Sequence, residues 1–480
     1  MDNHPSSDPD DKKKLSHSPQ PLIKDRPLNR ARFVHGSIMR HVLTMAITGA
    51  VGLMAVFAVD LLNFFYISHL HDPTLTAAIA FASSLSFVQT AVGLGMAIGL
   101  GACIGRLIGA RQHDRARELA SSFLVVMIIV TLALGLFTAI FAHYFLTLLG
   151  AKGEALIHAT RFLHIISPAL PLICLGMTLS ALLRAVGDAK RSMRVTLIGA
   201  VFTAILDPIL IFGFNLGLEG AAISTVLSRC AISVSGFLNL RGHAMIERPK
   251  LNLIMPATRE IGNIALPAIG TNLATPVGAL FATHAMSRFG LEAVSGQAVV
   301  DRLVPVSFAF VFALTGSVGP IMAQNLGAGQ FHRVREAFIC SLKLTALCVA
   351  IAWAVFASCH TVILKLFHVQ GAGIELVNLF CFGVVASYMF VGLLFVSNTA
   401  FNNLGHPLYS TAFNWGRATL GTIPFVTIGA YYGPKGVMIG QALGVVIFGS
   451  LAMMAALSVI HNLEKTASHK IPTPSAKNQL

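Results

Sequence analysis

Apolar runs fill the chain from residue 42 to residue 461, and short stretches, alternately basic and nearly free of Lys and Arg, separate them. Twelve of these runs are long enough to form a helix that crosses about 30 Å of hydrocarbon, which takes roughly 20 residues. They cover 42–68, 75–104, 119–148, 156–182, 193–213, 216–240, 260–287, 293–325, 336–364, 374–400, 408–431 and 436–461. Residues 1–38 are rich in Pro, Ser, Asp and Lys and have no apolar stretch near the start, so no signal peptide is expected. They read as a disordered cytoplasmic tail, and 463–480 as a second cytoplasmic tail.

The runs form an internal repeat. GACIGRLIGARQHDRARELA (101–120) matches GPIMAQNLGAGQFHRVREAF (319–338) at an offset of 218 residues. Gly187 in RAVGD matches Gly405 in NNLGH at the same offset (405 − 187 = 218). Each half holds six runs and so enters the membrane from the same side, which makes the halves parallel repeats about an axis along the membrane normal. The expected fold is an all-α membrane protein of twelve transmembrane helices in two pseudo-symmetric six-helix bundles, 39–245 and 246–462. A substrate path then lies between the bundles.

Composition narrows the class. Hydrophobic residues make up 55% of the 480 residues and charged residues 11%, with a mean hydropathy of +0.73. That leaves no room for a large soluble domain. The formal net charge of +14 lies in short clusters, after the second run (Arg106, Arg111, Arg115, Arg117), the fourth (Arg184, Lys190, Arg191, Arg194), the sixth and the eighth. By the positive-inside rule both termini are cytoplasmic, in a multi-pass plasma-membrane protein such as one of a bacterial inner membrane. Nucleic acid is not an expected partner; the bilayer and small amphipathic molecules are, and the chain is expected to act as a monomer. The seven Cys form no CxxC pair and read as small buried hydrophobes.

Chemistry concentrates in the first half. The run 45–70, MAITGAVGLMAVFAVDLLNFFYISHL, has no Lys or Arg and a single carboxylate, Asp60. A charged carboxylate at mid-membrane costs about 2.5–3.5 kcal/mol, so it needs a partner, water or a proton. Thr203 and Asp207 lie four apart and share a helix face, and Pro208 leaves the Ala204 carbonyl free. Such oxygens suit a small hard cation, and equally a carboxylate in a dry wall tends to hold a proton. Asn63 lies one turn from Asp60, and Arg229 one turn from Thr225, where it could pair with Asp60 or Asp207. In the second half Asn272, Gln297 and Asp301 are candidate cavity polars, with helix packing the simpler role for the first two. GLGMAIGLG follows no strand and is no dinucleotide fingerprint.

Over 40–460 the sequence resembles the multidrug and toxic compound extrusion (MATE) transporters. The carriers are the Asp60 run, the GARQHDRARE and GAGQFHRVRE loops, RAVGDAKRSM, ILDPILIFG and GLEGAAISTVLS. The resemblance implies alternating access and export of amphipathic, often cationic compounds in exchange for protons, with sodium ions the alternative. It places ion coupling in the N-terminal lobe, where Asp60, Asp207 and Thr225 match the pattern and Thr203 stands where an Asn is usual. A sodium ion bound there, at Asp60 and Asp207, would be transient; no structural metal and no cofactor are expected. Span 7 has the usual proline, Pro267, whereas the equivalent place in span 1 holds Thr48 and Gly49.

Two other classes fit less well. A lipid-linked oligosaccharide or lipid flippase of the same superfamily would carry several basic residues in its spans, where this chain has chiefly Arg229 and Arg302. An enzyme is not expected, since HExxH, DDxxD, GxSxG and GxxxxGK[ST] are all absent.

Overall fold

The computed structural model describes residues 31–68, 73–367 and 369–469, and among these residues helices dominate and no strand forms. All twelve expected spans are present. Span 1 is α1 (Ile38–Ser68) and span 2 is α2 (Pro73–Gly109); span 3 is α3 (His113–Ile140) continued by α4 (Ala142–Leu148). Span 4 joins α5 (Gly153–Ile166) to α6 (Leu170–Ala185) through a 3₁₀ turn. Span 5 is α7 (Ala189–Pro208) ending in a π-helical turn (Ile209–Gly213), and span 6 is α8 (Gly217–Arg241).

The second half repeats the plan with more breaks. Span 7 is α9 (Leu251–Ser287), span 8 is α10 (Leu291–Ser307) plus α11 (Ala309–Gly327), and span 9 is α12 (Phe331–Leu366). Span 10 joins α13 (Ala372–Phe382) to α14 (Tyr388–Leu404), span 11 is α15 (Pro407–Ala418) plus α16 (Ile423–Ala430), and span 12 is α17 (Pro434–His469). Three of the interruptions sit beside residues that cannot continue a helix well: Pro168 lies in that of span 4, Pro305 precedes the kink at Phe308 in span 8, and Gly421 and Pro424 accompany the break in span 11. That last break leaves both pieces too short to cross alone, so among the described residues eleven helices are long and apolar enough to cross a membrane.

Burial separates centre from rim. In α2 and α11, which are repeat-equivalent, 72% of the apolar window is buried, against 11% in α12. The two central helices cross at their ends. A Cβ on Gly109 would lie 2.0 Å from the Gln324 carbonyl oxygen, and one on Gly327 would lie 2.0 Å from that of Arg106. Both pairs obey the repeat offset (327 − 109 = 218; 324 − 106 = 218), so the pseudo-two-fold axis runs between these helix ends. Farther along, Gly95 and Gly99 of α2 abut Ile269 and Ala265 of α9, while Gly49 of α1 abuts Ala313 of α11. Spans 1, 2, 7 and 8 therefore seal the two lobes together at the end that carries the basic loops.

The segment before α1 departs from the expected tail. Residues 31–37 are ordered, and Phe33 is buried in a 3₁₀ turn (Arg32–Val34). The Phe33 N–H donates to Gln324 Oε1 (3.0 Å), and Asn325 and Arg333 donate to the Phe33 carbonyl (3.1 and 3.0 Å). Gln324 Nε2 donates to Ala185 O of the other lobe, and Arg32 to Gly187 O (3.3 Å). The strap thus fastens both lobes at the seal. Residues 1–30, 69–72 and 470–480 lie outside the described residues, and with them most of both expected tails and the end of the 45–70 run.

The matched glycines of the repeat have one physical role. Gly187 (φ +87°) and Gly405 (φ +91°) follow α6 and α14 in the left-handed region, where a Cβ would be strained. Asp188 then caps α7, accepting from the Arg191 N–H (3.1 Å) and lying 3.1 Å from His243 Nε2. The His243 hydrogen bond, reinforced by Arg191, holds the Asp188 carboxyl below the ordinary carboxylate range. Its contribution to stability is therefore complete above that range and is lost as pH falls through the depressed value. Thermal melts of Asp188→Asn should show less loss of stability on acidification than wild type; parallel curves would count against the clasp. In cysteine-depleted protein, a single Cys at Ala323, buried against Gly105, should be inert to thiol reagents and become reactive when Gly109→Ala wedges the seal.

Candidate functional site

A cavity of about 590 Å³ lies between the lobes, above the seal. Its walls come from α1, α2, α6, α7 and α8 on one side and α9, α11, α14 and α15 on the other. Most of the lining is apolar, including Leu53, Val56, Leu94, Phe312 and Phe395. The polar lining is mainly hydroxyls and amides: Thr196, Thr271 and Thr275, with Asn272, Asn398, Asn402, Asn403 and Asn414. Arg184 is the one charged side chain among the lining residues, and no carboxylate is among them. Its Nη1 donates to Ser192 Oγ (3.1 Å), and among the described residues no carboxylate lies within 4.0 Å of it. Its sequence position suggests a loop charge at the end of span 4; the structure turns it into the cavity.

The N-lobe candidates occupy α1, α7 and α8. Asp207 is 1% exposed, and neither carboxyl oxygen has a hydrogen-bond partner. Ser224 of α8 faces it, yet the Ser224 hydroxyl is also unpartnered, so the two sit just outside hydrogen-bond geometry. Thr203 donates to Gly199 O (3.0 Å) and shares a hydroxyl–hydroxyl hydrogen bond with Ser228 Oγ (2.8 Å), and Thr225 donates to Ala221 O (2.8 Å). Both hydroxyls thus spend their protons within α7 and α8 and keep lone pairs. Asp60 is exposed on α1 and has no ion pair or hydrogen bond to Asp207, Thr203 or Thr225. Asn63, one turn away, has a buried Oδ1 without a partner. Arg229 faces Cys174 of α6 and makes no ion pair with Asp60 or Asp207.

The environment of Asp207 follows from its sequence. Pro208 ends the regular α7 ladder, and the π turn that follows spreads the backbone there. Across the turn, Tyr66 of α1 meets Phe212 edge to face at 6.0 Å, which fixes α1 against this irregular end. A buried carboxylate without a partner is unfavourable as an anion, so it must carry a proton or meet a cation. Two carboxyl oxygens and the Ser224 hydroxyl are the donor set available to an ion. Among the described residues no group of three or more His, Cys, Asp or Glu gathers into a metal site.

The C-lobe candidates separate. Asn272 lines the cavity and donates to Ala268 O (2.7 Å). Gln297 donates to Asp301 Oδ1 (2.9 Å), and neither is among the residues that line this cavity, which agrees with the packing role preferred for Gln297 and not with a place for Asp301 in this cavity. Asp301 neighbours Tyr388, which stacks on Phe308 at 4.6 Å, and Tyr388 neighbours Arg417, whose Nε is buried without a partner.

Sequence reasoning missed Arg184, Asn398, Asn402 and Asn414. A signal was present: the offset that matches Gly187 to Gly405 also matches Arg184 to Asn402, so a charge in one repeat faces an amide in the other.

Fold and cavity define a two-lobe membrane transporter. The MatE family model matches residues 49–209 and 267–428, one match in each repeat, and the chain belongs to the MATE family. It is similar to the FAD transporter of Shewanella oneidensis, 27% identical over 448 residues that cover 92% of this chain and 99% of that protein. It is also similar to the multidrug export protein MepA of Staphylococcus aureus, 25% identical over 438 residues, covering 90% and 95%. Among solved structures it shares its fold with a mutant of the Vibrio cholerae MATE transporter VcmN, at a TM-score of 0.84 and 22% identity, over 88% of this chain and 97% of that one.

A partnerless buried carboxyl group is a local cost to the fold. Asp207→Leu should therefore raise the unfolding midpoint in detergent at neutral pH, equivalent to about 1–3 kcal/mol. A lowered midpoint would reveal a stabilising partner at this position.

Proposed function

We propose that the chain is a secondary antiporter that exports amphipathic drugs or metabolites by alternating access, driven by protons or sodium ions. One observation carries the coupling: Asp207, buried in the N-lobe with both oxygens unpartnered, is a group whose environment demands an ion. Proton uptake there, or cation binding with Ser224, would change how α7 and α8 sit against α1. Asp60, exposed on α1, would serve the same ion along its path to Asp207. On this reading the basic loops face the cytoplasm, the seal closes that side, and the cavity opens outward.

The relatives' names offer two kinds of cargo, FAD and drugs, and a metabolite or drug exporter is common to both. A cationic cargo would find apolar walls and amides but no counter-charge in this cavity. The flippase alternative is less well supported, because a single arginine does not make the basic surface that a lipid pyrophosphate would need.

Uptake of amphipathic fluorescent dyes of either charge into inverted membrane vesicles tests the reading. An imposed proton or sodium gradient should drive uptake by wild type, and Asp207→Asn and Asp60→Asn should abolish the gradient dependence at equal expression. Wild-type transport by both variants would remove the coupling site. No gradient-driven uptake of any dye would remove the antiporter reading.

A further inference from the structure

The two walls of the cavity are equivalent in backbone and different in chemistry. The cavity-lining pairs that obey the repeat offset include Ser180 with Asn398, Arg184 with Asn402, and Thr196 with Asn414 (398 − 180 = 218; 402 − 184 = 218; 414 − 196 = 218). Ser180 and Arg184 stand four apart on one face of α6, as do Asn398 and Asn402 on α14. The pseudo-two-fold axis therefore sets a cation and hydroxyls on one wall against a row of amides on the other.

These groups are held in place without being satisfied. Asn398 and Asn402 are 8% and 5% exposed, and the Oδ1 atoms of both are buried with no partner. Arg184 has one recorded side-chain hydrogen bond, to Ser192, although a guanidinium offers five donors. Buried amide oxygens left in this state are costly unless something completes them, and the half-buried Arg184 guanidinium keeps further donors for a ligand. A guanidinium facing a cavity without carboxylates is complementary to a carboxylate or phosphate, which it can hold through two parallel hydrogen bonds.

We infer that the cavity takes amphipathic organic anions, with Arg184 holding the acidic group and Asn398 and Asn402 meeting hydrogen-bonding groups on the ligand body across the axis. The apolar walls with Phe312 and Phe395 take its aromatic part. This rests on the export reading above and names its cargo class. It makes Arg184 a specificity determinant that sits apart from the carboxylate at Asp207.

The test uses full-length protein in nanodiscs and a matched pair of xanthene dyes, fluorescein (anion) and rhodamine 123 (cation), read by fluorescence polarisation. Wild type should prefer fluorescein, and Arg184→Gln should weaken fluorescein by about ten- to a hundredfold, as the loss of a charged hydrogen-bond pair does, while leaving rhodamine unchanged. Asn402→Arg added to Arg184→Gln should restore fluorescein binding, because it returns the charge from the opposite wall. Competition by 4-methylumbelliferyl phosphate, but not by neutral 4-methylumbelliferone, would extend the class from carboxylates to phosphates.

The inference is overturned if rhodamine binds wild type as tightly as fluorescein, if neither dye binds, or if Arg184→Gln leaves fluorescein unaffected. It is equally overturned if Arg184→Gln loses both dyes and the second arginine restores neither, since Arg184 would then only tie α6 to α7 through Ser192. These outcomes are separable from failure of the export reading. Gradient-driven vesicle uptake of rhodamine alone would sink the anion class and leave the antiporter standing.

Discussion

The close crossing of α2 and α11 at the pseudo-two-fold axis is the constraint on which the rest depends. Backbone meets backbone there, Gly109 on Gln324 and Gly327 on Arg106, because neither glycine carries a Cβ. In a membrane there is little hydrophobic drive between helices, so association relies on such close packing and on hydrogen bonds. The lobes are pinned at one end and part beyond it, which creates the cavity. The strap at Phe33 and the Gln324–Ala185 hydrogen bond add polar fastening at the same place. Any opening on the basic-loop side has to undo these contacts together, so the seal is suited to two discrete states rather than gradual flexing.

The repeat also explains how the seal is tied to the chain's entry points. Arg333 holds the segment leading into α1, and Arg115, its counterpart 218 residues earlier, pairs with Glu260 near the start of α9 (3.1 Å). Each lobe thus grips the leading end of the other lobe's first span. The Arg115–Glu260 pair is exposed and worth little by itself. The Arg333 bonds are to the backbone carbonyls of Phe33 and Gly36, the first of them partly buried, so the first lobe is held more firmly than the second. An asymmetric grip on symmetric helices means that the two halves need not move equally.

Much of this was legible in the sequence. The twelve spans follow from run length, because backbone groups in lipid must pair within a helix and leave composition as the main signal. The offset of 218 predicts the parallel lobes and places the cavity between them. Asp207 was legible as a carboxylate inside an apolar run, and the structure buries it beside Ser224, while Thr203 bonds to Gly199 and Ser228 and Thr225 to Ala221. What was not legible depends on rotation of helices about their axes. Periodicity is weak where all faces are apolar, so Arg184 reads as a loop charge and Asp301 as a cavity polar. The ordered strap was hidden because its bonds run to residues about 290 to 300 positions away.

A duplicated fold begins with two identical walls, and identical walls would bind a symmetric object best. Here the walls have parted in a specific way, with Arg184 against Asn402 and Thr196 against Asn414, while the glycines that set the backbone, Gly187 and Gly405, remain matched. The buried carboxylate follows the same division: Asp207 lies in the N-lobe, and the C-lobe offers Ile423 or Phe425 at the corresponding place. One lobe therefore carries both the buried acid and the cavity cation. If ion binding at Asp207 shifts α7, the Ser192–Arg184 hydrogen bond transmits that shift to the cavity wall, because Ser192 is on α7 and Arg184 on α6. The carboxyl group and the guanidinium are thus linked through one helix, and on the proposed antiport that link is the physical route from ion entry to the hold on a bound cargo.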